Sequence, residues 1–384
     1  MAIYLSFKEI WRNKGRFLLF SLVIALITTL VLFIAGLAEG LATANREYLA
    51  KLDGELIVFQ SGVKLSTLTS RLSPSIVQKV ERIEGVAAVG PVGLSNAALV
   101  PPGGSEDINI SLIGVEPGKP GGAPALQGRA LRSTRGNEVV IDGNLAKAQG
   151  LGLGDTLTIK SIQGADEEYY AMQVVGITDG RQYFFQPSIF LPMDTWNEIR
   201  PQGAPGGVGE TLVYNILAVQ LENPKDIDGM AARIQNQVDD IETADLVTAY
   251  EATPGYAAQQ STLNTQRGFT LLIGILVIGG FFQIQTLQKI PNIGMLKAIG
   301  AGNRTVGLAV ITQIVMVTVL GVALGSLATF GLAAALPGAV PILFTQQSAI
   351  AAIVSLTLIG PIGGLVSVWL ALKAEPLMAL GLSS

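Results

Sequence analysis

The sequence predicts a membrane α-helical protein with four transmembrane helices and an inserted extracytoplasmic α+β domain of two lobes. Three observations predict it. Residues are 49% apolar and only 14% charged, with a mean hydropathy of +0.48, a balance that soluble domains rarely reach. Four stretches are apolar over the ~20 residues needed to cross ~30 Å of hydrocarbon. More than two hundred residues separate the first stretch from the second, enough for a folded domain.

In chain order, residues 1–16 form a cytoplasmic amphipathic helix and Phe17–Ala38 the first crossing, which carries no charge. Its 22 residues exceed a signal-peptide core of ~7–15, so it is read as an uncleaved anchor. The extracytoplasmic domain spans 39–268, with a strand-rich lobe at about 95–195. Phe269–Leu287 is the second crossing, 288–305 a cytoplasmic coupling segment, and Val306–Leu336 the third crossing. A short external loop, 337–348, leads to the fourth, Ala349–Leu372, and to a cytoplasmic tail at 373–384.

Charge sets the orientation, because Lys and Arg resist translocation. Lys8, Arg12, Lys14 and Arg16 precede the first crossing, Lys289, Lys297 and Arg304 lie between the second and third, and Lys373 follows the fourth. Both termini are therefore expected in the cytoplasm of a multi-pass protein of the cell (inner or plasma) membrane. The pieces assigned to the cytoplasm hold eight basic residues against Glu9 and Glu375. The domain carries the acidic surplus, which argues against a nucleic-acid partner.

Within the domain the pattern reads β (Glu55–Gln60), α (Pro74–Ile83, with Ser73 as cap and Pro74 in the first turn), β (Val86–Val89). A run of strands follows: Ile108–Val115, Glu138–Ile141, Thr156–Lys160, Tyr169–Ile177 and Ser188–Leu191, separated by Gly/Pro clusters such as Pro101–Gly104 and Gly118–Pro124. The chain returns through the strand Tyr214–Leu221 and the helix Pro224–Val238. In that helix Ile227, Met230, Ala231, Ile234 and Val238 recur at core-facing spacing.

Motifs for chemistry are missing. With no Cys and no His, disulfides, thiolate zinc sites and histidine bases are excluded. The nearest approach to a nucleotide loop, GVEPGKP at Gly114–Pro120, has the wrong glycine spacing and a proline where the magnesium-binding hydroxyl belongs. The acid pairs Asp239–Asp240 and Glu167–Glu168 sit in solvated runs. The chain is thus expected to be no enzyme, to have no catalytic or metal site and to bind no cofactor of its own.

The informative stretch is LQKIPNIGMLKAIGAGNRTVG, Leu287–Gly307. Ile293, Met295, Leu296 and Ile299 can form the apolar face of one short helix, with Lys297 and Arg304 exposed and glycines at Gly294, Gly300 and Gly302 pinning its ends. An apolar stripe in a polar location calls for a partner, so Asn292–Arg304 is expected to dock on one. The coupling set is Ile293, Gly294, Met295, Leu296, Lys297, Ala298, Ile299, Gly300 and Arg304.

IGMLKAIGA resembles the coupling segment of the MacB/FtsX-like permeases, the membrane subunits of type VII ABC systems. SFKEIWRNKGRF near the start, EVVIDGNLAKAQGLGLGDTL at Glu138–Leu157 and ALKAEPLMALG at Ala371–Gly381 resemble the same family along the whole chain. The resemblance implies both ends inside, a homodimer, and a separate dimeric ATPase below the membrane that binds and hydrolyses ATP. It also implies a mechanism of mechanotransmission rather than conduction through a pore. VLFIAGLAEGLATANREYLAKL and PGYAAQQSTL resemble the HrtB-type permeases of haem efflux. The chain departs from simple haem ligation: it lacks His and Cys, and neither of the first two crossings contains Met. Glu39, Tyr48, Tyr256 or an outer-domain Met would have to serve.

The function expected is the permease of an exporter for an amphipathic or hydrophobic compound, haem-like molecules included. The alternatives are a non-transporting FtsX-like transducer acting on an extracytoplasmic partner, or a permease that extracts lipoproteins. A substrate is expected at the outer end of the first crossing, around Phe33, Glu39 and Tyr48, beside Tyr256 and Phe269, with Glu39 at the end of its helix. Gly36 and Gly40, Gly321 and Gly325, and Gly360 and Gly364 have the spacing of close helix contacts. Thr28, Thr29, Gln283, Gln285 and Gln313 are polar within apolar runs, so they are expected to face other helices or a dimer seam.

Overall fold

The computed structural model describes residues 8, 11–12, 14–101, 106–202, 212–336, 342–344 and 346–373. Most of the segment 1–16, half of 337–348, nearly all of the tail 373–384 and residues 102–104 of the first Gly/Pro cluster therefore lie outside the described residues. The chain divides into two compact units: 1–40 with 261–384, and 41–260.

The membrane unit is built from four long helices: α1 (Lys14–Ala50), α7 (Tyr256–Ala298), α8 (Asn303–Ala335) and α9 (Gln346–Lys373). Two of them run well beyond the predicted crossings. α1 continues past Ala38 for three further turns, and α7 begins thirteen residues before Phe269 and continues through the coupling segment to Ala298. The core of this unit joins Phe17, Ile24 and Leu32 of α1 with Phe282 of α7, Val317 of α8 and Ile359 of α9. Leucines such as Leu22, Leu26, Leu276 and Leu358 are exposed, which suits a surface solvated by lipid tails.

Glycine decides where the helices touch. A Cβ on Gly325 would lie 2.5 Å from Ala25 O, and one on Gly321 2.6 Å from Ile24 Cβ, so α8 meets α1 through these two positions. Gly360 and Gly364 let α9 approach Thr318 and Ile314 of α8. A third contact was not foreseen: Gly279 of α7 and Gly363 of α9 meet backbone to backbone, each built Cβ falling 2.8 Å from a carbonyl oxygen of the other helix. Hydroxyls reinforce the seam between α1 and α8, with Ser21 Oγ donating to Val317 O at 3.4 Å and Thr29 Oγ1 to Gly325 O at 3.2 Å. Gln285 and Gln313 are buried, whereas Gln283 is exposed on the single chain.

The domain is one ten-stranded sheet with helices on its faces. Its strands are β1 (Leu56–Gln60), β2 (Val86–Val100), β3 (Ile108–Val115), β4 (Gln127–Gly128), β5 (Glu138–Ile141), β6 (Thr156–Gln163), β7 (Asp166–Ile177), β8 (Ser188–Pro192), β9 (Ile216–Leu221) and β10 (Ile241–Asp245). The order is β10-β1-β9-β2-β3-β8-β5-β7-β4, with β6 pairing both β2 and β7. The two strand groups are joined by β2, whose first half pairs with β9 and whose second half pairs with β3 and β6. It runs eleven residues past the predicted Val89. The helices are α2 (Pro74–Glu81), α3 (Gly143–Gln149), α4 (Met193–Ile199), α5 (Ile227–Gln237) and α6 (Leu246–Glu251). Ser73 occupies the cap position of α2, but its hydroxyl contacts Ser75 Oγ at 2.8 Å and makes no cap bond.

Alternation along the strands buries both faces. Leu56, Val58, Ile110, Leu112, Leu217 and Val219 enter one core, covered by α2, α4 and α5, with Met230, Ile234 and Val238 packed as the spacing predicts. Ile57, Phe59, Ile113, Val115, Ile216 and Ala218 enter the other. The end of α1 packs on this second face together with α6: Tyr48 and Leu49 are fully buried there and Leu52 follows, with Ala249 of α6 in the same core.

Gly363→Val places a branched side chain against Gly279 and is expected to cost about 1–3 kcal/mol as overpacking. The measurement is thermal unfolding of the full chain in detergent, where Gly363→Val lowers the midpoint. Gly331→Ala, with open space around it, leaves it unchanged.

Candidate functional site

At one end of the membrane unit, α7 closes in a tight turn. Ala301 N donates to Leu296 O at 3.0 Å and Gly300 N to Lys297 O at 3.0 Å, with Gly300 at φ +102°. This is a Schellman motif, which needs a left-handed residue after the helix end, and glycine supplies it at least cost. The predicted short coupling helix is therefore the final turns of a 43-residue helix, ending at Ala298.

The predicted apolar stripe splits. Ile293 turns inward onto Val306 and Ala371, and Gly294 is buried beside it. Met295, Leu296 and Ile299 are 57%, 45% and 79% exposed, and Ala298, Gly300 and Arg304 are exposed as well. Lys297 Nζ donates to Leu372 O at 2.7 Å, binding the turn to the end of α9. Lys289 Nζ donates to Gln313 Oε1 at 3.0 Å and lies over the Phe17 ring. The turn is thus a rigid, basic platform carrying three exposed apolar side chains.

The predicted substrate residues divide between the units. Phe33 and Glu39 are half-buried on α1, and Phe269 is 59% exposed on α7. Glu39 lies inside a continuous helix rather than at its end, a correction to the expectation. Tyr48 and Tyr256 belong to the other unit and are core residues. Tyr48 donates to Gly121 O at 2.9 Å from full burial, and Tyr256 accepts from Arg46 Nη1 at 3.2 Å and meets Tyr250 edge to face. With their hydroxyls engaged in the core, neither tyrosine is an interface anchor or a free oxygen ligand.

What holds the end of α1 was not legible in the sequence. Tyr48 N donates to Gln182 O at 3.0 Å and Ala44 O accepts from Phe185 N at 3.1 Å. These are the two groups that a helix pairs with each other, so the loop Asp179–Gln186 is grafted onto the helix backbone. Glu47 accepts from Gln182 N, Lys51 Nζ pairs with Glu47 at 2.8 Å and Asp179 at 3.1 Å, and Arg181 Nη1 donates to Lys51 O at 2.7 Å. The loop closes as a two-residue hairpin, Tyr183 and Gln186 exchanging backbone bonds around Phe184 and Phe185 at φ +52° and +64°. Left-handed aromatics cost about 1–2 kcal/mol each. Packing of Phe184 into the second core and the bond from Phe185 N offset that strain.

Two carboxylates beside Arg181 are shifted in opposite directions. Burial pushes the Asp142 carboxyl up, against hydrogen bonds from Arg181 N and Asn144 N. Burial also pushes Asp179 up, but hydrogen bonds and charge from Arg181 and Lys51 outweigh it and hold the carboxyl at about 2.

Four long apolar helices, an α+β domain threaded between the first two, and a basic turn between the second and third define a polytopic membrane subunit with a large extracytoplasmic domain. The chain belongs to the MacB/FtsX-like family of ABC transporter permeases: the MacB-like periplasmic core domain matches residues 17–237 and the FtsX-like permease C-terminal domain matches 268–376. A relative bearing the name hemin transport system permease protein HrtB, from Staphylococcus haemolyticus, is 26% identical over 383 residues, covering 98% of this chain and 99% of its own. Its namesake from Staphylococcus epidermidis is 27% identical over 377 residues, at 98% and 99%. An uncharacterized ABC transporter permease of Mycobacterium bovis is 22% identical over 383 residues, with 99% of both chains covered. Among solved structures, the extracellular domain of the noncanonic ABC-type transporter YknZ from Gram-positive bacteria covers 50% of this chain and 98% of its own, at 14% identity and a TM-score of 0.35. The periplasmic region of MacB from Actinobacillus actinomycetemcomitans covers 51% and 90%, at 16% and 0.35.

The Asp179 shift gives a pH prediction. A depressed carboxyl contributes stability that is present above its ordinary value near 3.9 and lost as pH falls to about 2. Acid unfolding of the full chain, followed by tryptophan fluorescence, is expected to steepen between about pH 4 and 2. Asp179→Asn removes that component while leaving the opposite contribution of Asp142 in place. Parallel acid limbs for parent and variant would contradict the assignment.

Proposed function

We propose that this chain is the permease of an ABC-type exporter that removes an amphipathic or hydrophobic compound from the membrane, driven by a separate dimeric ATPase. The observation that carries the reading is the exposed platform Met295, Leu296 and Ile299 on a rigid turn, an apolar surface with basic Arg304 beside it and a partner to bury it. ATP is bound and hydrolysed in that partner. Both termini lie with the platform in the cytoplasm, as the distribution of Lys and Arg supports.

A homodimer is supported by Gln283. An amide exposed on a membrane-crossing helix is costly in hydrocarbon, and a second copy of α7 would pair it. The names of the staphylococcal relatives support a haem-like substrate. Phe33 and Phe269 supply apolar contact at the outer end of the crossings, and Glu39 supplies an oxygen; Tyr48 and Tyr256 drop out. The transducer reading draws on a different observation, the burial of the end of α1 in the sheet, which suits a lever acting on an extracytoplasmic partner with or without transport.

One experiment tests both ends of the proposal: ATPase activity of the complex in lipid, with and without haem, for variants at each site. Met295→Asp with Leu296→Asp is expected to abolish co-purification of the ATPase. Glu39→Gln with Phe33→Ala is expected to keep assembly but lower stimulation at least fivefold. Full assembly and stimulation in the first variant would exclude the platform, and full stimulation in the second would exclude the substrate residues.

Orientation has its own check. Ala165 sits in the exposed two-residue turn between β6 and β7, and the parent has no cysteine. Ala165→Cys is expected to react with an impermeant maleimide on intact cells. Reaction only after the membrane is opened would reverse the topology.

A further inference from the structure

We propose that the α+β domain carries a binding site of its own, a cavity of about 540 Å³ beside the end of α1 that takes an amphiphile with an apolar body and a single anionic headgroup held by Arg181. The proposal deepens the export reading by giving the same class of substrate a contact outside the membrane.

The cavity has the volume of a small-molecule site, ~300–1,000 Å³. Val115, Leu131, Val140 and Phe190 line it together with Lys51, Lys119 and Arg181. One wall is the loop Glu116–Pro124, the stretch whose glycines resemble a nucleotide loop without its spacing. That wall is built rather than incidental. Gly90 of β2 admits Pro120, whose carbonyl oxygen would lie 1.7 Å from a Cβ there. Gly121, at φ +99°, sits against Val92, and its carbonyl accepts from Tyr48.

Arg181 is the residue that selects the ligand. It is 6% exposed and lines the cavity. Nε donates to Asp179 at 2.8 Å and Nη1 to Lys51 O, and among the described residues Nη2 has no acceptor. A nearly buried guanidinium with an unused donor favours an anionic oxygen, the partner that makes its strongest hydrogen bond. The other cations are already paired, Lys51 with Glu47 and Asp179, Lys119 with Glu81 and Glu116. Asp53 and Glu116 also line the cavity. Polyanions are thereby disfavoured, and a lone carboxylate or phosphate on an apolar body is preferred. Because Nη1 of the same guanidinium binds the backbone at the end of α1, occupancy bears directly on that helix.

The test uses the full chain in nanodiscs and the probe 11-(dansylamino)undecanoic acid, with its methyl ester as the uncharged counterpart. The acid is expected to show a saturable fluorescence increase above lipid partitioning, and the ester to bind at least tenfold more weakly. Arg181→Lys, which keeps the charge but loses Nη2, is expected to weaken the acid at least tenfold. Ala123→Trp, which fills the cavity, is expected to abolish the saturable component. Unaltered binding in both variants, with parental unfolding midpoints, overturns the site. ATPase stimulation by the probe without cavity binding retains the export reading and removes the site; cavity binding without stimulation retains the site and removes the export reading.

Discussion

The burial of Tyr48, Leu49 and Leu52 against the second face of the sheet is the contact on which the rest of the domain depends. A sheet apolar on both faces must cover both. One face is covered by short helices of the domain's own, among them α2, α4 and α5, while the other is covered by α6 together with the last turns of a helix that begins in the membrane unit. Each fully buried Tyr or Leu contributes about 1.5–3 kcal/mol as an upper estimate, so removing the helix end would open a core rather than trim a surface. The grafted loop Asp179–Gln186 is the polar counterpart of this packing: it satisfies helix-end groups that would otherwise lack partners inside the fold. The strained Phe184–Phe185 hairpin persists because the core and the helix backbone together over-determine it.

The four crossings, the mixed fold and strands such as Ile108–Val115 and Glu138–Ile141 were legible because apolar length and β-branched runs are local signals. The continuation of β2 past Val89 was not, since GPVGLSNAALV opens with Gly90, Pro91 and Gly93 where a strand is least expected. Those glycines answer to distant partners: Gly93 and Gly114 make room for the Trp196 indole, and Gly90 for the carbonyl of Pro120. β10 was hidden by its acidic run and acquires strand character only by pairing with β1.

The candidate site was legible in a similar, partial way. The turn around Gly300 could be read because a Schellman motif has a sequence cost, the left-handed glycine. Which of Ile293, Met295, Leu296 and Ile299 stays exposed could not be read, because a helical stripe does not reveal that Val306 and Ala371 take up Ile293. Tyr48 was placed at a membrane surface because hydropathy ends at Ala38. The helix goes on to Ala50 because the sheet buries it, and a tyrosine in a protein core has the same local signature as one at an interface. Arg181 and the cavity beside it gave no local signal at all, being assembled from α1, the loop after β3 and the loop after β7.

α1 and α7 are the two helices with residues in both units, and they meet in the domain where Arg46 Nη1 donates to Tyr256 OH. Within the membrane unit α1 is held on α8 by Gly321 and Gly325, and α7 on α9 by the Gly279–Gly363 contact. Contacts this close leave little room for one helix to yield against its neighbour. Pro291 lacks the amide that would bind the carbonyl four residues back, so α7 bends most easily close to the platform.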